Sequence, residues 1–80
     1  MSRQLTLYIR NGCHLCEDML QQLNLKQASL GFKLQTVEIT GKPALESLYG
    51  TKVPVLTCAG QEVCHYFLDE VALQQCFDLR

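Results

Sequence analysis

Two cysteines separated by two residues, Cys13 and Cys16, are the pair in this 80-residue chain whose type and spacing most directly imply chemistry. Thiols three positions apart can close a small disulfide ring, and what they do depends on where the chain places them. Asn11-Gly12, a strong turn dipeptide, comes just before them, and from His14 onward Leu15, Met19, Leu20 and Leu23 recur at helical spacing. Cys13 therefore falls at a helix N-terminus. Unpaired backbone N–H groups and the positive end of the helix macrodipole there favour thiolate over thiol, which makes Cys13 the candidate attacking sulfur. Cys16 lies one turn further on the same side and is the candidate resolving thiol. Arg10, at the end of the preceding segment, and His14, when protonated, add positive charge beside the thiolate, and Glu17 and Asp18 oppose them.

Two other readings of the pair stand beside thiol exchange. Cys13 and Cys16 could join Cys58, Cys64 and His65 in a tetrahedral zinc set. They could also simply pack as small, weakly polar side chains beneath a turn. Taken alone, Cys58 and Cys64 read as buried or half-buried thiols whose shared face depends on hairpin register. Cys76 reads as core, His65 as a surface strand histidine and Tyr8 as packing.

The elements that must position the pair follow from periodicity. Residues 5–10 alternate with a period of two and form a first strand, followed by the helix from His14, with Gly31 as its stop. Phe32 to Ile39 is a second strand, ended by Thr40-Gly41-Lys42-Pro43. Pro43 sits in the first turn of a short helix through Tyr49 that Gly50 ends. Pro54–Cys58 and Glu62–Tyr66, joined by Ala59-Gly60-Gln61, form an antiparallel hairpin. Asp69 caps a last helix whose apolar stripe is Leu73, Cys76 and Phe77. The order βαβαββα, opened by a right-handed crossover between parallel strands, predicts an α/β fold with one four-stranded mixed sheet flanked by three helices.

Length and composition set bounds on the rest. A chain of 80 residues supports one domain and one lean core, so residues 1–80 are expected to act as a single unit. With 48% apolar and 19% charged residues it is neither disordered nor membrane-embedded. A formal net charge of −1 provides no basic footprint for nucleic acid. The apolar run Leu5–Ile9 is too short for a signal peptide, and five cysteines without a secreted framework imply free thiols at rest in a reducing cytoplasm.

The sequence resembles the glutaredoxin-like branch of the thioredoxin superfamily, most closely its short Cys-x-Leu-Cys members. The resemblance is carried by Leu5–Ile9 before Cys13-His14-Leu15-Cys16-Glu17, and by Tyr49-Gly50-Thr51-Lys52-Val53-Pro54-Val55-Leu56 about forty residues later. It implies a thioredoxin-like fold and a thiol–disulfide oxidoreductase. It also implies a cis proline at Pro54, and a Val53 backbone that pairs with the incoming peptide or glutathione. Departures are equally specific. Cys-His-Leu-Cys replaces the usual Cys-Pro-Tyr-Cys, and Phe67-Leu68 stand where glutaredoxins carry a Gly-Gly pair ahead of an aspartate, here Asp69, that holds glutathione.

The resulting expectation is an enzyme with Cys13 and Cys16 as its catalytic pair. Arg10, His14, Leu15, Lys52, Val53, Pro54 and Asp69 are its candidate substrate contacts, with Lys52 attracting a carboxylate and Asp69 acting on an amine. No metal or resident cofactor is expected, and glutathione would serve only as co-substrate. The partners would be a protein or glutathione disulfide and a thiol reductase, with no nucleic acid and no membrane, and the chain would act as a monomer. The alternatives are a zinc or iron–sulfur module held through Cys13, and a non-catalytic adaptor that binds peptides in the groove beside Val53-Pro54.

Overall fold

In the computed structural model of the chain, which describes residues 4–78, the opening alternation forms β1 (Gln4–Ile9). It is followed by α1 (His14–Leu30), β2 (Lys33–Glu38), α2 (Pro43–Tyr49), β3 (Val55–Cys58), β4 (Gln61–His65) and α3 (Glu70–Asp78). The order is the expected one. Element ends shift by a residue, so that Arg10, Phe32, Ile39, Pro54 and Tyr66 lie just outside the strands to which periodicity assigns them.

The sheet runs β2-β1-β3-β4. β1 and β2 are parallel because the α1 crossover carries the chain back to the same end of the sheet. β1 and β3 are antiparallel, with Leu5 opposite Cys58 and Tyr8 opposite Val55. In the β3–β4 hairpin, Leu56 pairs with Cys64 but Thr57 pairs with Glu62, which leaves Val63 as a bulge. The bulge settles the register that the three turn residues leave open. Cys58 and Cys64 both turn toward the same core.

That core lies on one face of the sheet. Leu5, Leu7 and Leu56 meet Met19 and Leu23 of α1 and Leu73 of α3, and Phe32 and Cys64 belong to the same buried cluster. Burying one leucine-sized side chain stabilises by about 1.5–3 kcal/mol, against about 0–1 kcal/mol for an exposed ion pair, so these few residues dominate the fold. Tyr8 alternates to the opposite face and stacks on Tyr49 of α2, with ring centroids 4.4 Å apart. No helix among the described residues is long and apolar enough to cross a membrane.

The two helix-ending glycines work differently. Gly31 adopts the left-handed conformation at φ 72° and donates its N–H to the Gln27 carbonyl oxygen at 2.9 Å. Gly50 stays right-handed at φ −54°. It is needed for space, because a Cβ there would collide with the Glu46 carbonyl oxygen and lie 3.2 Å from an Arg10 guanidinium nitrogen.

Candidate functional site

The strand-to-helix turn places the two sulfurs. Gly12, at φ 77°, reverses the chain after Arg10 and Asn11, and Cys13 then enters as the N-cap of α1 in an extended conformation. Its Sγ accepts the Cys16 backbone N–H at 3.1 Å, and its carbonyl oxygen accepts the Glu17 N–H at 3.1 Å. Here the sulfur performs the task for which serine or aspartate is usually chosen, satisfying an orphan donor of the first turn. Cys13 is bonded to Cys16 with a Cα–Cα separation of 5.2 Å. Cys13 remains half-exposed, whereas Cys16 is buried at 3% exposure. Both line a shallow cleft of about 140 Å³ with Arg10, Gly12, Glu17 and Glu38.

The candidate substrate contacts divide between that cleft and other duties. Arg10 reaches the cleft but is tied to α2, donating to the Glu46 carboxylate at 3.1 Å and to the Gly50 carbonyl oxygen at 3.2 Å. The Gly41 backbone N–H, with Arg10 second, holds the Glu46 carboxyl below the usual range. His14 is exposed at the start of α1. Leu15 lines a neighbouring cleft of about 150 Å³ with Tyr66, Phe67 and Leu68. Pro54 is buried, Val53 is half-buried, and the peptide bond between them is cis. Lys52 pairs with Glu62 at 3.4 Å. Glu62 also meets His65 at 2.6 Å, and that hydrogen bond is the leading cause of its lowered carboxyl pKa. Asp69 accepts the Ala72 N–H at 3.0 Å, so its carboxylate caps α3.

Tyr66 enters the site without a sequence signal, since periodicity makes it an ordinary strand residue. It adopts φ 65°, a conformation that a bulky side chain rarely takes. Two bonds to the loop before β3 hold it there. Its N–H donates to the Pro54 carbonyl oxygen at 3.0 Å, and its O–H donates to the Thr51 carbonyl oxygen at 2.5 Å.

The remaining cysteines correct the expectation of free thiols and of Cys76 as plain core. Cys58 is bonded to Cys76 with a Cα–Cα separation of 6.9 Å. The apolar stripe of α3 lies over the hairpin, so both residues stand at the margin of the same core, half-buried. Cys64 alone keeps a free thiol, and burial pushes its pKa up. Cys58 sits opposite Leu5 at the far end of β1 from Cys13, so it cannot join Cys13 and Cys16 in a tetrahedral zinc set. Among the described residues no three His, Cys, Asp or Glu side chains converge as metal ligands.

Comparison with known proteins finds a matching family and proteins of the same fold. A family profile described as "Glutaredoxin-like domain (DUF836)" matches residues 4–77. The uncharacterized protein Rv0508 of Mycobacterium tuberculosis is 34% identical over 80 residues, covering 92% of this chain and 82% of that protein. The solution structure of protein Ne2328 from Nitrosomonas europaea superposes with a TM-score of 0.85 at 40% identity, covering 94% of this chain and 91% of that one. The X-ray structure of protein XcR50 from X. campestris gives 0.74 at 39% identity, with 95% and 97% covered. Thioredoxin 1 from Thermosipho africanus, at 12% identity and a TM-score of 0.63 over 95% of this chain and 96% of its own, shares the fold.

Proposed function

The chain belongs to the glutaredoxin-like domain family, and on that footing we propose that it is a thiol–disulfide oxidoreductase acting through Cys13 and Cys16 on protein or glutathione disulfides. One observation carries the reading: a half-exposed sulfur caps the N-terminus of α1 directly over a buried one. Once the pair is reduced, the Cys16 N–H and the helix dipole favour the Cys13 thiolate, and burial keeps Cys16 from competing for substrate. Cys13 Sγ attacks one sulfur of the substrate disulfide and bonds to it, and the other substrate sulfur leaves as a thiolate that takes up a proton. Cys16 then attacks Cys13 Sγ, releases the second substrate thiol and closes the protein disulfide. Two equivalents of glutathione, or a thiol reductase, return the two electrons.

In this proposal the Val53 main chain beside Pro54 aligns the substrate backbone, while His14 and Leu15 border the attacked sulfur. Arg10 and Lys52 supply positive charge near the cleft edge, and Asp69 offers a carboxylate to an amine. The protein acts as a monomer in a reducing cytoplasm, without a resident cofactor. Mass spectrometry of a Cys16→Ser variant incubated with oxidised glutathione or a model protein disulfide tests the chemistry. The expected product is a stable mixed disulfide on Cys13. A variant that stays free of adduct while the wild type also fails to cycle between dithiol and disulfide would rule the proposal out.

A further inference from the structure

The second sulfur pair lies outside the proposed reaction, and its position gives it a separate role. We infer that Cys58 and Cys76 form a second reversible thiol–disulfide couple, independent of Cys13 and Cys16, whose oxidation fastens α3 to the sheet.

Three observations carry this. First, the pair is reachable: both residues are half-buried and line an open cleft of about 390 Å³ between the hairpin and α3, with Ala59, Gln61, Val63 and Gln75 among its other walls. A small thiol or disulfide can approach there without unfolding the domain. Second, the pair is remote from the first. Cys58 lies opposite Leu5, and β1 from Leu5 to Ile9 covers four steps of roughly 3.3 Å, or about 13 Å, before the turn to Cys13 begins. A disulfide needs Cα atoms within about 7 Å, so the folded chain cannot pass a disulfide from one pair to the other. Third, the bond spans a mechanical joint. It closes 18 residues that contain all of β4 and the first turns of α3. Without it α3 still has the buried Leu73, the stacking of Phe77 on Phe32 with centroids 5.7 Å apart, and the Lys26–Glu70 ion pair at 2.7 Å. The reduced form therefore keeps α3 docked but loses its covalent tie.

A low-molecular-weight disulfide such as oxidised glutathione is the co-reactant. One cysteine thiolate bonds to a glutathione sulfur and displaces the other as a thiolate. The second cysteine then attacks the first and displaces the bound glutathione. The two cysteine protons go to the two leaving thiolates, and the two electrons reside on two glutathione molecules.

The test uses the full chain carrying Cys13→Ser and Cys16→Ser, equilibrated across ratios of reduced to oxidised glutathione, quenched in acid and alkylated. Cleavage after Glu62 and Glu70 places Cys58, Cys64 and Cys76 on three separate peptides. The expected result is a linked Cys58–Cys76 peptide pair that appears and disappears reversibly with the ratio. The Cys64 peptide should stay unlinked, and the oxidised form should melt at least about 10 °C above the reduced one. The same digest of the wild-type chain gives an independent reading should the variant fail to fold. Free thiols at every ratio, separate glutathione adducts on the two cysteines, or a link through Cys64 would each overturn the inference.

Discussion

Reducing the Cys58–Cys76 bond should weaken the fold by an amount that follows from chain length. The bond joins residues 18 apart. In the loop-entropy treatment, closing a loop of that size removes roughly 11 cal/mol/K from the unfolded chain, or about 3 kcal/mol at 25 °C. A domain of this length has a total stability of roughly 4–12 kcal/mol, so the bond supplies a quarter of it or more. At roughly 4–8 °C per kcal/mol, the reduced form should melt about 12–25 °C below the oxidised one. The thermodynamic cycle makes the effect reciprocal. If the bond stabilises the fold by about 3 kcal/mol, the fold must favour the bond equally, which is about two orders of magnitude in the equilibrium with glutathione. The assay therefore has two arms in a Cys13→Ser, Cys16→Ser background: calorimetry of the oxidised and reduced forms, and the glutathione ratio at half-oxidation in buffer and in concentrated urea. Melting points within about 2 °C of each other, or half-oxidation ratios that match in buffer and urea, would refute the reasoning.

Other outcomes follow from single contacts. Leu23 is fully buried between α1 and the sheet, so Leu23→Ala should cost about 2–5 kcal/mol in urea unfolding. Glu46 is held below its ordinary value near 4.5, so its ionised form stabilises the fold above that pH and the contribution fades as pH falls through the lowered folded value. The stability gap between wild type and Glu46→Gln should accordingly be full near neutrality and close under acid, as followed by urea midpoints from pH 7 to 3. Asp69→Ala should lose the α3 cap at about 1 kcal/mol, and Asp69→Asn should restore it. A fall in glutathione-dependent turnover in the asparagine variant would thus report the carboxylate's charge rather than the cap. Cys64, buried and with its thiol pKa pushed up, should be alkylated after the half-buried Cys13, Cys58 and Cys76 in the reduced native protein, as read by time-resolved mass spectrometry.

Local patterns made the path of the chain legible. Leu5 and Leu7 alternating with Thr6 and Tyr8 point to β1, and the spacing of Met19 and Leu23 points to the inner face of α1. Asn11-Gly12 before Cys13 is enough to place a sulfur at a helix start. What stayed hidden depends on how elements cross. Cys58 and Cys76 lie on a strand and a helix, and no periodicity along either element states the angle at which α3 lies over the hairpin. The Val63 bulge, which turns Cys58 and Cys64 to the same core, is likewise invisible in a three-residue turn. Gly50 reads as the stop of α2 and is its C-cap, but the sequence does not say that it also leaves space for the Glu46 carbonyl and Arg10. The Asp69 cap of α3 is readable as a local pattern, whereas Arg10 and Lys52 are readable only as residue types and their partners Glu46 and Glu62 come from tertiary structure.

The odd number of cysteines then has an internal explanation. Two sulfurs sit at the end of β1 where α1 begins, two sit at its opposite end where α3 crosses, and the fifth lies inside the core. Exchange among them would scramble both pairs, yet each route is obstructed by a different physical term. Distance separates the two pairs, because the length of β1 exceeds what a disulfide can span. Burial isolates Cys64, because an apolar surrounding raises the cost of the thiolate that any attack requires. A mutation that loosens the core holding Cys64, such as Leu73→Ala in the same buried cluster, should therefore produce mispaired disulfides before it abolishes the fold. Non-reducing peptide maps of that variant showing only the original two bonds would mean that burial is not what protects the pairing.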